Sequence, residues 1–263
     1  MLAKLLKYDL KAIFKFLAIF YGLALIFAII TRMLFAVNDS LLTQIFAQIF
    51  NGATISMIAN ILINNLMRLW VYFKTNLYGD EGYLMHTLPV PRRDLYAAKF
   101  LAGLITLSVS TIIIAVVMAI AYLTPESFEG LKNFLLPITD AMDSTMIKFM
   151  VAIVGLVFLE VLSILVSGYL GIILGNKRLN ERTRWSVGLG LVIYGVISVV
   201  VVIGVLIMAA INPEIGNSLL TGGEMPNISV LKPICILAMI IYTVMIGVCY
   251  LVSEKCFSKI NIE

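Results

Sequence analysis

Residues 16–37 read FLAIFYGLALIFAIITRMLFAV and contain one charged side chain, Arg32, in 22 positions. An α-helix rises about 1.5 Å per residue, so a run of this length crosses the ~30 Å hydrocarbon core of a lipid bilayer. The whole chain has the same character, since 61% of its 263 residues are hydrophobic and only 13% are charged. Soluble domains carry roughly 45–50% apolar and about 25% charged residues. The composition therefore predicts an all-α integral membrane protein.

Six runs are apolar and long enough to cross a bilayer, because a spanning helix needs about 20 residues. The connections between them are too short to form a soluble core, so residues 1–263 are predicted to be a single transmembrane domain. The predicted spans are Phe16–Val37, Gln44–Leu69, Ala97–Leu123, Ile147–Leu174, Val187–Ile211 and Ile234–Val252.

The positions of lysine and arginine predict the orientation, because these residues favour the cytoplasmic side. Of the 19, 15 fall in the N-terminal segment, in the connections after spans two and four with their flanks, and in the C-terminal tail. Both termini are therefore predicted to be cytoplasmic.

Residues 1–15 carry lysines spaced three or four residues apart, which places them on one helical face. Leucine and isoleucine occupy much of the remaining surface. This pattern predicts a basic amphipathic helix lying in the inner membrane interface. Alternatively, the lysines are only the positive anchor of the first span. They are Lys4, Lys7, Lys11 and Lys15.

The outer connection at residues 124–146 is long and partly apolar. We expect a short helix at the outer surface that ends before Pro137, because proline disrupts a helix interior. The apolar side chains of this helix are Phe128, Leu131, Phe134 and Leu135.

Residues 79–95 read GDEGYLMHTLPVPRRDL and interrupt the apolar sequence between spans two and three. Acidic side chains at the start favour a helix N-terminus, and Pro89 and Pro91 end that helix. The pattern predicts a short cytoplasmic helix whose exposed apolar side chains bind a protein partner. These side chains are Tyr83, Leu84, Met85 and Leu88.

The string EGYLMHTLPVPRRDLYAAK, residues 81–99, resembles the segment after the second span of ABC-2 type permeases, the membrane subunits of ABC exporters. The residues that match are Glu81, Gly82, Leu88, Pro89, Val90, Arg92 and Lys99. The resemblance implies a coupling helix at about residues 81–88 that inserts into a separate nucleotide-binding subunit. The residues implied in coupling are Glu81, Gly82, Tyr83, Leu84, Met85, Leu88, Pro89 and Arg92.

The resemblance further implies a partner ABC ATPase that carries ATP and magnesium, and a second permease copy or paralogue. The chain itself contains no G-x-x-x-x-G-K-[ST] motif, so it is not expected to be an enzyme and ATP is hydrolysed on the partner. The implied cargo is hydrophobic or amphipathic: a peptide toxin, an antimicrobial peptide or a drug. The implied location is the bacterial cytoplasmic membrane.

A few polar side chains lie inside the predicted spans. Glu160 is near the middle of span four, where a carboxylate usually faces protein or a water-filled cavity. It either lines a translocation path or forms a structural pair, for instance with Arg32. Asn60 and Asn64, one helical turn apart in span two with Asn65 beside the latter, either tie helices together or line the same path. Glycines 168, 171, 175, 188 and 190 are expected to allow close helix packing.

Two other functions are compatible with the sequence: a proton-coupled carrier or channel centred on Glu160, and a non-transporting membrane scaffold. The three cysteines lack metal-site spacing, and no metal ligand set is predicted. The net charge of +4 is too small to indicate nucleic acid binding.

Overall fold

The structure is a computed structural model that describes residues 2–37, 40–79, 82, 87, 90–142, 144–176, 182–213, 215–216 and 230–258. Within these ranges it contains seven helices longer than two turns and no strand. Six of the seven are long and apolar enough to cross a membrane, so the chain is a multi-pass helical membrane protein, as its composition predicts. The helices are α1 (Leu2–Ala36), α2 (Leu41–Tyr78), α3 (Arg92–Tyr122), α4 (Pro125–Ala141), α5 (Met146–Gly175), α6 (Arg182–Ile211) and α7 (Leu231–Ser258).

Several helices extend well beyond their predicted spans. Helix α1 has 35 residues and α2 has 38, which corresponds to lengths of about 50–57 Å. The helix predicted for residues 1–15 is continuous with the first span, because α1 runs from Leu2 to Ala36. Its location in the membrane interface stays a prediction. No glycine or proline separates Lys15 from the apolar run, so nothing interrupts the backbone hydrogen bonds. The orientation of the termini stays a prediction.

The chain divides into two compact units, Met1–Phe128 and Glu129–Glu263. In the first unit α1 packs against both α2 and α3. In the second unit α5 packs against both α6 and α7. Each unit is thus a group of three long helices in which the first helix contacts the other two.

Side-chain hydrogen bonds fix the helix directions in the first unit. Three pairs between α1 and the α3 region are separated by 90, 89 and 91 residues, and this constant offset shows that α1 and α3 run parallel. Between α1 and α2 the separation falls from 63 to 23 residues along α1, as antiparallel helices require. The pairs to α3 and its C-terminal end are Asp9–Lys99, Tyr21–Ser110 and Arg32–Leu123, and the pairs to α2 are Asp9–Tyr72 and Thr31–Thr54.

In the second unit, glycines bring α5 and α6 into backbone contact. A Cβ atom at Gly171 would lie 2.5 Å from the nitrogen of Gly190, and one at Gly175 would lie 2.5 Å from the nitrogen of Ser186. The predicted close packing is therefore confirmed for Gly171, Gly175 and Gly190. It is wrong for Gly188, where a Cβ would meet no atom within 4 Å.

Replacing Gly171 with alanine is expected to destabilise the protein by about 1–3 kcal/mol, because the added methyl group forces α5 and α6 apart. Gly188→Ala is the matched control on α6, and a change within about 0.5 kcal/mol is expected there. Thermal unfolding of both purified variants in detergent measures the difference. Equal melting temperatures would contradict the close packing at Gly171.

Helix α4 is longer than expected, since it continues through Pro137 to Ala141. A proline removes one helical hydrogen bond donor but does not forbid helical φ. Phe128 and Phe134 are exposed, whereas Leu135 is buried and packs with Met142 and Phe149. These buried contacts explain why the helix persists past the proline.

Candidate functional site

Four polar side chains meet in the first unit, and we call them the base cluster: Asp9, Tyr72, Asn76 and Lys99. The Nζ atom of Lys99 lies 2.7 Å from Oδ1 of Asp9 and 2.6 Å from Oδ1 of Asn76. The hydroxyl of Tyr72 donates to the same Asp9 oxygen at 2.8 Å. Asp9 is 1% exposed and Lys99 is 2% exposed. A buried ion pair thus joins α1, α2 and α3.

The apolar surroundings exclude water from the base cluster. Asp9 lies on the buried face of α1 together with Ile13 and Leu17, at intervals of one helical turn. The rings of Phe73 and Tyr96 pack edge to face with their centroids 6.3 Å apart. In such surroundings the removal of one ionic partner strongly destabilises the folded protein, because the remaining charge cannot recover its hydration.

Aromatic rings contact the two cationic side chains of this region, Lys99 and Arg68. Nζ of Lys99 lies 4.5 Å from the centre of the Tyr72 ring. The guanidinium of Arg68 lies 5.3 Å from the ring centre of Phe16 and 5.9 Å from that of Tyr72. Cation–π contacts of this kind favour a fixed position for both cations.

The position of the base cluster relates it to residues 79–91, which connect α2 to α3. Asn76 is two residues before the end of α2 at Tyr78, and Lys99 is seven residues after α3 begins at Arg92. Lys99 of α3 bonds Asp9 of α1 directly, and Asn76 of α2 is connected to Asp9 through Lys99. Both helices that flank the connection are therefore linked, near its ends, to the Asp9 side chain. A displacement of the connection would act on all three helices together.

Lys99 was predicted only as a match to the permease pattern, and Asp9 was not predicted as a site residue. One signal was present: Asp9 is the only acidic residue among the first 38, and it shares the helical face of Ile13 and Leu17. A lone carboxylate on an apolar face requires a partner.

The predicted coupling residues fall mostly outside the described part of the chain. Glu81, Tyr83, Leu84, Met85, Leu88 and Pro89 lie outside the described residues. Gly82 is buried and donates its N–H to the carbonyl of Gly79 at 2.8 Å. A Cβ atom there would lie 2.7 Å from the carbonyl oxygen of Leu77, so a larger residue does not fit. Arg92 is half-buried at the first position of α3.

Among the three asparagines of span two, Asn65 bonds another helix in the described part of the chain. Its Nδ2 donates to Oγ of Ser110 at 2.7 Å, and Ser110 also bonds the hydroxyl of Tyr21 at 2.7 Å. The side chain of Asn64 instead donates to the backbone carbonyl of Asn60 in its own helix, at 2.9 Å. The predicted linking role is thus observed at Asn65, whereas the Asn64 amide bonds within its own helix. A path-lining role for Asn60 and Asn64 stays a prediction.

Asn65→Ala is expected to destabilise the chain by about 1–2 kcal/mol, since it breaks the bond from α2 to α3. Asn64→Ala removes the same amide from an adjacent position, and we expect a smaller effect because its bond is within one helix. Thermal unfolding in detergent compares the two variants. The assignment fails if Asn64→Ala lowers the melting temperature as much as Asn65→Ala does.

The two predicted intramembrane charges each have a partner within their own unit. Nη1 of Arg32 donates to the backbone carbonyl of Leu123 at 3.1 Å. The carboxylate of Glu160 receives a hydrogen bond of 3.3 Å from the hydroxyl of Tyr194. The Arg32 bond joins the C-terminal ends of α1 and α3, as in a structural anchor. A translocation role for either residue stays a prediction.

Comparison of the chain with family models, curated proteins and solved structures finds no match. The permease resemblance therefore depends on the residues of the 81–99 string and on the span layout.

Proposed function

We propose that the chain is the membrane subunit of an ATP-driven exporter of the ABC-2 permease type. The residues around position 81–88 would dock into a separate ATPase subunit, in line with the resemblance of residues 81–99. The observation that carries the proposal is the buried Asp9–Lys99 ion pair, which ties the two helices flanking this segment to α1. A connection that served only to join two spans would not need a buried charge pair at its base.

The proposed mechanism follows from the continuity of the helices. Helix α2 is continuous from Leu41 to Tyr78, just before the proposed docking segment, and α3 is continuous from Arg92 to Tyr122, just after it. Closure of two ATP-loaded partner subunits would push the segment, and the push would reach the membrane through α2 and α3. Helix α1 follows, because separating Asp9 from Lys99 would leave buried charges unpaired. Rigid-body movement of packed helices is a common form of switching transition.

The remaining features of the proposal come from the resemblance. The exporter would contain two permeases, either two copies of this chain or one copy with a paralogue. It would reside in the bacterial cytoplasmic membrane with residues 79–95 on the cytoplasmic side. Its cargo would be hydrophobic or amphipathic, such as a peptide toxin, an antimicrobial peptide or a drug.

Co-purification with an ATPase tests the proposal. The full-length tagged chain is co-expressed with the ABC ATPase encoded nearest to it, and the membrane extract is passed over an affinity column. We expect the ATPase to elute with the chain and its ATP turnover to change on reconstitution in lipid. Elution of the chain without any ATPase, or unchanged turnover in the complex, would contradict the proposal.

A proton-coupled carrier is a second candidate, favoured by the mid-span carboxylate of Glu160. Proteoliposomes that contain the chain alone distinguish the two. A carrier moves its substrate when a proton gradient is imposed, whereas the proposed exporter requires ATP and its partner subunit. A scaffold would do neither.

A further inference from the structure

Glu160 occupies the centre of a membrane-crossing helix. It is residue 15 of the 30 residues of α5, so about 20 Å of helix separates it from either end. A carboxylate at that depth is costly and usually marks a functional site. The groups around Glu160 therefore determine how its negative charge is compensated.

Within the described residues the compensation is weak. The carboxylate receives the single 3.3 Å hydrogen bond from Tyr194 and forms no ion pair in that part of the chain. The nearby hydroxyl of Ser163 donates to the backbone carbonyl of Glu160 at 2.7 Å and not to its carboxylate. Asp9, by contrast, receives a lysine at 2.7 Å and a tyrosine at 2.8 Å. Among the described residues, a lysine thus pairs with Asp9 and no cation pairs with Glu160.

Tyrosines from two neighbouring helices belong to this region. Tyr194 of α6 donates to the carboxylate, and Tyr242 lies on α7, which packs against α5. Tyr242 is only 8% exposed, whereas Glu160 itself is half-buried. Aromatic faces attract cations, and a carboxylate beside them adds the counter-charge. These groups together favour a cation that also has an apolar body.

Close helix contacts lie along α5 on both sides of this cluster. On one side Gly155 of α5 meets the terminal methyl group of Met239 on α7, where a Cβ would lie at 3.2 Å. On the other side Gly171 meets the backbone of Gly190 on α6. Glu160 therefore lies along α5 between two positions where small residues allow close helix packing.

We propose that Glu160, Tyr194 and Tyr242 form a binding site for hydrophobic organic cations. The site deepens the proposed function, because it assigns a positive charge to the cargo. The role of this site in transport rests on the proposed exporter function, but the binding of a cation to the chain does not. It is therefore tested on the chain alone, so that failure to bind a cation is distinguished from failure to bind an ATPase.

Equilibrium binding of tetraphenylphosphonium to the full-length chain in phosphatidylcholine nanodiscs tests the site. Tetraphenylborate has nearly the same size and shape and the opposite charge, so it reports apolar partitioning alone. We expect saturable binding of the cation, about tenfold weaker in Glu160→Gln, and no effect of that substitution on the anion. Glu126→Gln, on the exposed part of α4, is the matched control and should bind like the parent chain.

A second measurement uses the unmodified protein, in case Glu160→Gln does not fold. A hydrophobic carbodiimide reacts with carboxylic acids in lipid, and mass spectrometry of peptides quantifies its addition to Glu160. We expect saturating tetraphenylphosphonium to protect Glu160 from this reaction and tetraphenylborate not to protect it. The proposal is overturned if the parent chain shows no saturable cation binding, if the cation gives no protection, or if folded Glu160→Gln binds it as tightly as the parent.

Discussion

Lys99→Met lowers the free energy of unfolding by about 3–5 kcal/mol, the largest effect expected from one substitution in this chain. Methionine preserves much of the length and volume of the lysine stem but removes the charge. Among the described residues, the Asp9 carboxylate, 1% exposed, then keeps the Tyr72 hydroxyl, a neutral donor. An uncompensated buried charge accounts for the cost. Denaturant unfolding of the purified chain, followed by circular dichroism, measures it.

Two further variants separate the buried charge from a general loss of lysine. Lys11→Met, on the exposed face of α1, should change the stability by no more than about 0.5 kcal/mol. Asp9→Asn combined with Lys99→Met removes both charges and should recover at least about 1 kcal/mol of the loss. If the double variant is less stable than Lys99→Met alone, the energy comes from packing and the ion-pair interpretation is wrong.

The membrane-crossing helices were largely predictable, because each depends on a local property. A run such as residues 16–37 is apolar over the thickness of a bilayer whatever surrounds it. The helix ends were less predictable, since hydropathy marks where the lipid ends and not where the helix ends. Helix α2 continues to Tyr78, nine residues beyond the predicted Leu69, because its last turns bury Phe73 and Leu77 against protein.

The base cluster could not be predicted in the same way, because its members come from three helices and lie up to 90 residues apart. A single sequence shows that Asp9 and Lys99 each lie among apolar residues, but not that they face each other. The glycines illustrate the same limit. Gly171 and Gly188 both lie in apolar spans, yet only Gly171 meets another backbone. Composition therefore identifies residues that could form helix contacts, and the packing of the helices decides which of them do.

The proposed docking segment leads to the second large effect. The combined substitutions Tyr83→Glu, Leu84→Glu and Leu88→Glu are expected to abolish capture of the ATPase, since three carboxylates cannot enter an apolar groove without losing their hydration. Affinity capture from membranes that co-express the two proteins measures the loss, which should exceed about a hundredfold. The matched control is Phe128→Glu, Leu131→Glu and Phe134→Glu on the exposed part of α4, which is predicted to lie on the outer side. This control should capture the ATPase normally.

Docking and transmission are separable, because different residues are proposed to perform them. The double variant Asp9→Asn and Lys99→Met keeps the docking side chains and should still capture the ATPase. It loses the ionic connection between the segment and α1, so its ATP turnover should no longer respond to cargo. If the docking variant still captures the ATPase, the segment is not the contact. If the double variant responds to cargo like the parent chain, the base cluster stabilises the fold without transmitting motion, and the push must reach the membrane through α2 and α3 alone.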